Sequence, residues 1–497
     1  MSERKKAWQV LTMNTLAFTV CFAVWMMNGV LVTFLVNNGV FEWDKAQMGW
    51  LIGIPVLTGS LIRLPLGVLT DKFGGRIVFS LLMLFSAVPT YLLSYASTYS
   101  EFLLASLGFG ITGGSFAVGI AYTSVWFPKH QQGTALGIFG AGNAGAALTS
   151  VFAPMLLKYL TNTGANLDGW RQMPQLYAVA LVVMTVIYYL LTFSRKVDSE
   201  HITNFMQRLE PLKYVRVYRF GLYYFLVFGG FVALAQWLIP YYVNAYGMTV
   251  VMAGTMAAIF SFPSGVIRAL GGWMSDKLGA RLVMYWVFGL ILACCVLLMV
   301  PKMDIYTPGK GIQTLTEGEV IAVSEKEIVV KGKVKEHRFQ LKPKVDRDFS
   351  RENGFVVFPK KDFWQEPVVK VGDTVKRKQL IAKGVTHIYF QANVWIFTAL
   401  VFIVGIMMGI GKAAVYKHIP DYYPRDVGVV GGIVGVIGGL GGFVCPIIFG
   451  YLLQATGIWT TCWMFFTVLT LGCLLWMHSV IKKMMYEQVP ELMRKIE

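Results

Sequence analysis

Apolar runs of about 20 residues recur along the chain, and a helix of that length crosses the ~30 Å hydrocarbon core of a bilayer. The runs centre on residues 12–38, 47–69, 77–96, 101–125, 134–158, 173–194, 220–246, 250–274, 281–300, 389–416, 427–453 and 457–479, which predicts twelve spans. Between the ninth and the tenth the pattern changes. Residues 301–387 are polar, and stretches such as GEVIAVSEKEIVVKG and EPVVKVGDTVKRKQLIAKG alternate apolar with polar positions between Gly and Pro, the period of half-buried β-hairpins. The pattern therefore predicts an all-α membrane protein with a small inserted β-rich domain. The first run is too long for the apolar region of a signal peptide and no A-x-A site follows it, so the N-terminus is expected to be retained.

The helical part repeats itself. RLPLGVLTDKFGGRIV, from Arg63, aligns with RALGGWMSDKLGARLV, from Arg268, pairing Arg63 with Arg268, Asp71 with Asp276, Gly74 with Gly279 and Arg76 with Arg281 at a constant offset of 205. WFPKHQQGTALGIFGAGNAGAA and YYPRDVGVVGGIVGVIGGLGGF align more loosely, Pro128 with Pro424, at an offset of 296. Two pseudo-symmetric six-helix halves account for both offsets, the second having gained about ninety residues. The expected organisation is an N-terminal bundle at 1–194, a charged linker at 195–217, three helices at 218–300, the insert at 301–387, three helices at 388–480 and a tail at 481–497.

Composition agrees, with 56% of residues hydrophobic and 14% charged, against a charged fraction near ~25% in soluble globules. A net charge of +17 would suit a nucleic-acid partner, but its placement argues for a bilayer instead. Lys and Arg crowd into alternate loops, from Arg4 through Lys72, Lys129, the 195–219 block, Lys277 and Lys417 to the tail, while the short loops opposite hold only Lys45, Lys158 and Arg171. This bias places both termini in the cytoplasm of an inner-membrane protein and residues 301–387 outside. The six cysteines show neither disulfide nor metal spacing, and the six histidines are scattered. With no H-E-x-x-H, G-x-S-x-G or P-loop sequence, neither an enzyme nor a metal or cofactor site is expected.

GVLTDKFGGR and GGWMSDKLGAR both match G-x-x-x-D-[KR]-x-G-x-[KR], and in this they resemble the paired loop signature of the major facilitator superfamily. The resemblance implies a gate, with small glycines allowing close helix packing and Asp71, Arg76, Asp276 and Arg281 making ion pairs and helix-end contacts across the cytoplasmic mouth. Eight residues before each loop aspartate stands an arginine inside an apolar run. Eight residues of helix rise ~12 Å, close to the bilayer midplane. Charge at that depth costs at least ~2.5 to 3.5 kcal/mol and requires a partner. Every Asp and Glu outside the insert falls in an expected loop or tail, so no intramembrane acid is offered. A substrate anion is the expected partner of Arg63 and Arg268, because a guanidinium fork donates two parallel hydrogen bonds to a planar oxyanion.

Glycine-rich stretches flank these sites. Their density predicts helices close enough to leave room for a small anion, with Ser115 and Asn143 as neutral donors and Phe116, Tyr224 and Phe228 as walls. GGSFAVGIAYTSVWFPKHQQGTALGIFGAGNAG and GGIVGVIGGLGGFVCP, the latter containing Gly432 and Gly435, resemble the paired signatures of the nitrate/nitrite porter (NarK-type) family. The resemblance spans about four hundred residues, everything but the insert and the tails. It implies a major facilitator fold, transport of nitrate and nitrite without a prosthetic group, substrate-clamping arginines at Arg63 and Arg268, an aromatic sandwich at Phe116, Tyr224 and Phe228, and a signature asparagine at Asn143.

The insert departs from the family pattern. VVKVGDTVKRKQ resembles a turn of barrel-sandwich (lipoyl-like) modules but no lipoylation sequence accompanies it, so a bland spacer and a domain for an unknown protein partner both stay open. The expected function is nitrate/nitrite exchange by alternating access. Proton-coupled nitrate symport, transport of formate or oxalate, and a non-transporting sensor or scaffold displaying the β module are the alternatives.

Overall fold

The computed structural model describes residues 2–195, 211–345, 359–423 and 427–488. Most of the expected linker, the loop residues Pro424 and Arg425, part of the insert and the end of the tail lie outside them. Two compact units result, one formed by residues 1–299 and 398–497 and the other by 300–397.

The first unit is helical throughout. Its helices are α1 Glu3–Asn37, α2 Lys45–Phe73, α3 Gly75–Tyr95, α4 Tyr99–Trp126, α5 Thr134–Leu160, α6 Leu167–Leu191, α7 Val215–Tyr246, α8 Val250–Val266 with Arg268–Leu278, α9 Ala280–Leu298, α10 Val394–Ile419, α11 Val430–Thr456 and α12 Thr461–Met485. Among the described residues eleven of these are long and apolar enough to cross a membrane, and α8, a pair bent by 46°, makes the twelfth. Helices suit this solvent because they satisfy every backbone hydrogen bond within one segment. The apolar window of α7 is 89% buried and that of α12 only 22%, so α7 lies inside the bundle while α12, like α6, turns an apolar face outward.

Three local features shape the interior. The glycine-rich signatures loosen α4 and α5 into 3-10 turns at Gly110–Gly114 and Ala141–Ala144. A π-helical turn at Phe225–Gly229 interrupts α7. Finally, α2 and α8 break at Ile62 and Ile267, related by the 205 offset, directly before Arg63 and Arg268. At Ile62 proline supplies a reason: Pro65 lacks the N–H that would reach Leu61.

The second unit consists of seven strands, β1 Met303–Gln313, β2 Gly318–Val323, β3 Glu327–Gly332, β4 Glu336–Gln340, β5 Lys360–Pro367, β6 Thr374–Val375 and β7 Leu380–Phe390. They form a three-stranded sheet ordered β1-β7-β5 and a four-stranded sheet ordered β4-β3-β2-β6. Val320, Ile328, Val330, Leu341, Val375 and Ile381 build its core, the inward set of the alternation in the sequence. Strand β7 runs on to Phe390, into residues whose apolarity suggests the start of the tenth span, and that helix begins instead at Val394.

Candidate functional site

The two helix breaks bring Arg63 and Arg268 to a common aromatic ring. Phe116 lies 5.4 Å from the Arg63 guanidinium carbon and 5.6 Å from that of Arg268, measured to the ring centroid. Phe228 packs 5.2 Å from Arg63 and stacks on Phe116 at 6.4 Å and on Tyr224 at 5.0 Å. The π-helical turn that follows Tyr224 sets this last stack. Such turns recur at functional sites, where one extra residue re-aims a helix face. Two further aromatics complete the walls: Trp25, 5.7 Å from Arg63, and Tyr416, 5.6 Å from Arg268 and edge-on to Tyr224 at 4.9 Å.

Arg63 is buried and its fork is half used. Nη1 donates to the Gly435 carbonyl at 2.9 Å and Nε reaches the Gly113 carbonyl at 3.4 Å, while Nη2 has no acceptor. Arg268 is half-buried. Among the described residues neither arginine pairs with a carboxylate, and the Arg268 charge acts on Arg63. Gly435 also touches the second half of the cage, since a methyl there would lie 3.0 Å from the Tyr416 hydroxyl, which itself donates to the Gly431 carbonyl. Gly432, one turn away, would meet only Leu64, at 3.6 Å.

Asn143 is buried beside Gly265 of α8, and neither its amide nitrogen nor its oxygen has a partner. Ser115 is buried next to the Cys21 thiol. One charged residue stands outside the set expected from sequence, Lys412 of α10. Fully buried, it holds Nζ 3.1 Å above the centroid of Phe231, 3.3 Å from Ser264 Oγ and 3.5 Å from the Ser264 carbonyl, within electrostatic reach of Arg268. Counting intramembrane acids could not reveal it. Counting cations inside the runs would have, as would the 296 offset, which pairs Lys412 with Phe116.

The loop residues make contacts within their own halves. Arg76 donates to the Tyr189 carbonyl at 3.0 Å and lies over that ring, Arg281 donates to the Tyr422 hydroxyl at 2.6 Å, and Asp276 pairs with Lys417 at 2.6 Å. Asp71 is half-buried near the end of α2. The motif glycines serve the backbone more than packing: Gly74 and Gly279 have φ of 84° and 87°, where a side chain strains, and a methyl on Gly272 would touch nothing within 4 Å.

Glycines also report how tightly the halves meet. Toward the Lys45 end, Gly49 and Gly53 of α2 abut the Pro446 and Phe443 carbonyls of α11, Gly29 of α1 abuts Gln236 of α7, and Gly254 of α8 abuts the Ser150 carbonyl. Toward the Asp71 end, Gly272 lies one turn beyond Arg268 and Gly432 one turn beyond Gly435; a methyl on the first would touch nothing within 4 Å and on the second only Leu64, at 3.6 Å.

The profile of the Major Facilitator Superfamily matches residues 14–310 and 380–490. A Thermus thermophilus protein named "Probable nitrate/nitrite antiporter NarK1" is 38% identical over 100% of this chain and 96% of its own length. The chain belongs to the nitrate/nitrite porter family of the major facilitator superfamily. A second relative of this porter, the "Nitrite extrusion protein" of Bacillus subtilis, is 25% identical over 90% of this chain and 88% of its own. Among solved structures, a bacterial homolog of the human lysosomal transporter Spinster superposes with a TM-score of 0.61 at 14% identity, covering 95% of this chain and 96% of that one. The nucleoside transporter NupG does so with a TM-score of 0.61 at 10% identity, covering 95% and 99%. At these identities the likeness concerns the fold, which is that of a multi-pass membrane transporter.

Proposed function

We propose that this porter carries nitrate and nitrite by alternating access, exchanging one for the other, with the anion held between Arg63 and Arg268. The supporting observation is the placement of both guanidiniums about Phe116 with, among the described residues, no carboxylate paired to either. Two like charges at this depth repel in a low dielectric, and a monoanion between them turns repulsion into attraction. The free Nη2 of Arg63 is placed to donate to a planar oxyanion, and stacked rings suit a flat, weakly hydrated anion. Once the charge is partly neutralised the halves close over it, and the empty carrier resists closure, which couples inward to outward movement. The close approach of the two halves around Gly29, Gly49 and Gly53 at the Lys45 end supports a carrier closed on that side. With the lysine-rich loops and both termini in the cytoplasm that side faces outward, and the β module lies outside.

Uptake of labelled nitrate into proteoliposomes loaded with nitrite, with nitrate, or with neither tests the proposal. Exchange requires uptake that depends on internal anion and ignores a pH gradient. Uptake into anion-free vesicles driven by a proton gradient would replace it with symport. Equal competition by formate or oxalate would remove the assignment to nitrate and nitrite.

A further inference from the structure

Lys412 is not accounted for by the two-arginine site. Its side-chain nitrogen is fully buried in the membrane-spanning region, makes no ion pair among the described residues, and has among them the Ser264 hydroxyl and carbonyl as polar neighbours, at 3.3 and 3.5 Å. A helix brace could explain a polar residue here, since Lys412 links α10 to α8. A glutamine would brace as well, so a side chain able to carry charge at this place calls for a use.

Its position points to one. The 296 offset equates Lys412 with Phe116, the ring that faces both guanidiniums, so the duplicated architecture sets Lys412 on the face of α10 corresponding to the face of α4 that lines the site. Its surroundings agree. Lys412 rests on Ser264, Asn143 borders Gly265, and Arg268 follows the break at Ile267, so three helices bring an ammonium, an unpartnered amide and a guanidinium to one short segment of α8. The Phe231 ring beneath Nζ offers the negative face of its quadrupole, a hold on the cation that needs no carboxylate and leaves its charge uncancelled.

We propose that Lys412 is a third cation of the anion site, and that its uncancelled charge is what ties the return of the carrier to a bound anion. The inference rests on the exchange reading above. With two arginines alone, one monoanion removes half of the fixed charge. Lys412 adds to what an empty carrier must close over, and so raises the barrier to returning empty relative to returning loaded.

The test uses the full chain with Lys412→Met, Lys412→Gln and Lys412→Arg in proteoliposomes, with potassium and valinomycin abolishing any membrane potential. For each protein the nitrate KM is measured together with the ratio of uptake into nitrite-loaded vesicles to uptake into anion-free ones. The neutral variants should lower that ratio at least about fivefold and raise KM, and Lys412→Arg should keep the parental ratio. Monodisperse protein and unchanged reconstitution identify folded variants, and Gln, which retains the contact with Ser264, covers the case in which Met fails. A folded neutral variant with parental ratio and parental KM overturns the proposal, as does an arginine variant that behaves like the neutral ones. If the parent itself shows no dependence on internal anion, the exchange reading fails, while the KM of the neutral variants still decides whether Lys412 belongs to the site.

Discussion

Arg63 donates one arm of its guanidinium to the Gly435 carbonyl and leaves the other without an acceptor. A lysine in its place keeps the charge but loses the fork, and could not hold a backbone carbonyl and a planar anion in the same plane. Arg63→Lys and Arg268→Lys are each expected to reduce nitrate transport at least about tenfold with expression and membrane insertion unchanged, because planar recognition depends on paired donors. Transport at the parental rate in either variant would remove that arginine from the clamp. The two arginines are legible in the sequence because buried charge is rare and the acids are easily counted. Lys412 is equally visible as a letter, yet an inventory that searches for partners of known cations does not ask for further cations. Trp25 and Tyr416 are harder still: in a chain with 14 Trp and 23 Tyr, what selects these two is contact across distant helices.

The repeat announces α2 and α8 as equivalent elements, and breaks at Ile62 and Ile267 and positive-φ glycines at Gly74 and Gly279 fall at matched positions. The π-helical turn of α7 has no such signal, because one inserted residue in an apolar helix leaves composition unchanged, yet it sets the stack of Tyr224 on Phe228. At the ends of these elements the pairing of Asp276 with Lys417 joins α8 to α10 within one half. Both side chains are largely exposed, and such a pair contributes only ~0 to 1 kcal/mol to stability. Its loss should therefore show in the cycle and not in folding. Asp276→Asn is expected to slow exchange several-fold with nitrate affinity within about twofold of the parent, and Asp276→Lys combined with Lys417→Asp should recover most of the rate, since the brace depends on opposite charges and not on their order. Stopped-flow exchange alongside equilibrium binding separates the two effects. Lost affinity at an unchanged rate would place Asp276 in the site instead of the gate.

Over the whole chain, the two offsets allow the halves to align on either side of the insert without using it, so a transport core can be read from the sequence alone. The strands of the insert are also legible from their alternation, but the way the segment closes on itself is not. Its first and last strands, β1 and β7, pair antiparallel with Met303 opposite Phe390. Opposed residues in such a ladder lie ~5 Å apart. The chain thus enters and leaves the module at adjacent points, and a short linker can seal the gap without pulling on the helices that follow. The module has a core of its own, with Val320, Ile328, Val330 and Ile381 buried among one another. Replacing residues 303–390 with a short Gly/Ser linker is accordingly expected to leave nitrate/nitrite exchange by the purified protein within a few-fold of the full chain, and a larger defect seen only in cells would point to a partner of the module. The decisive comparison is exchange by parent and deletion at equal reconstituted amounts, with correct insertion established by protease accessibility of the termini. A deletion protein that inserts correctly and binds nitrate but no longer exchanges it would make the β module a moving part of the transport cycle, and the division into a carrier and an accessory domain would fall with it.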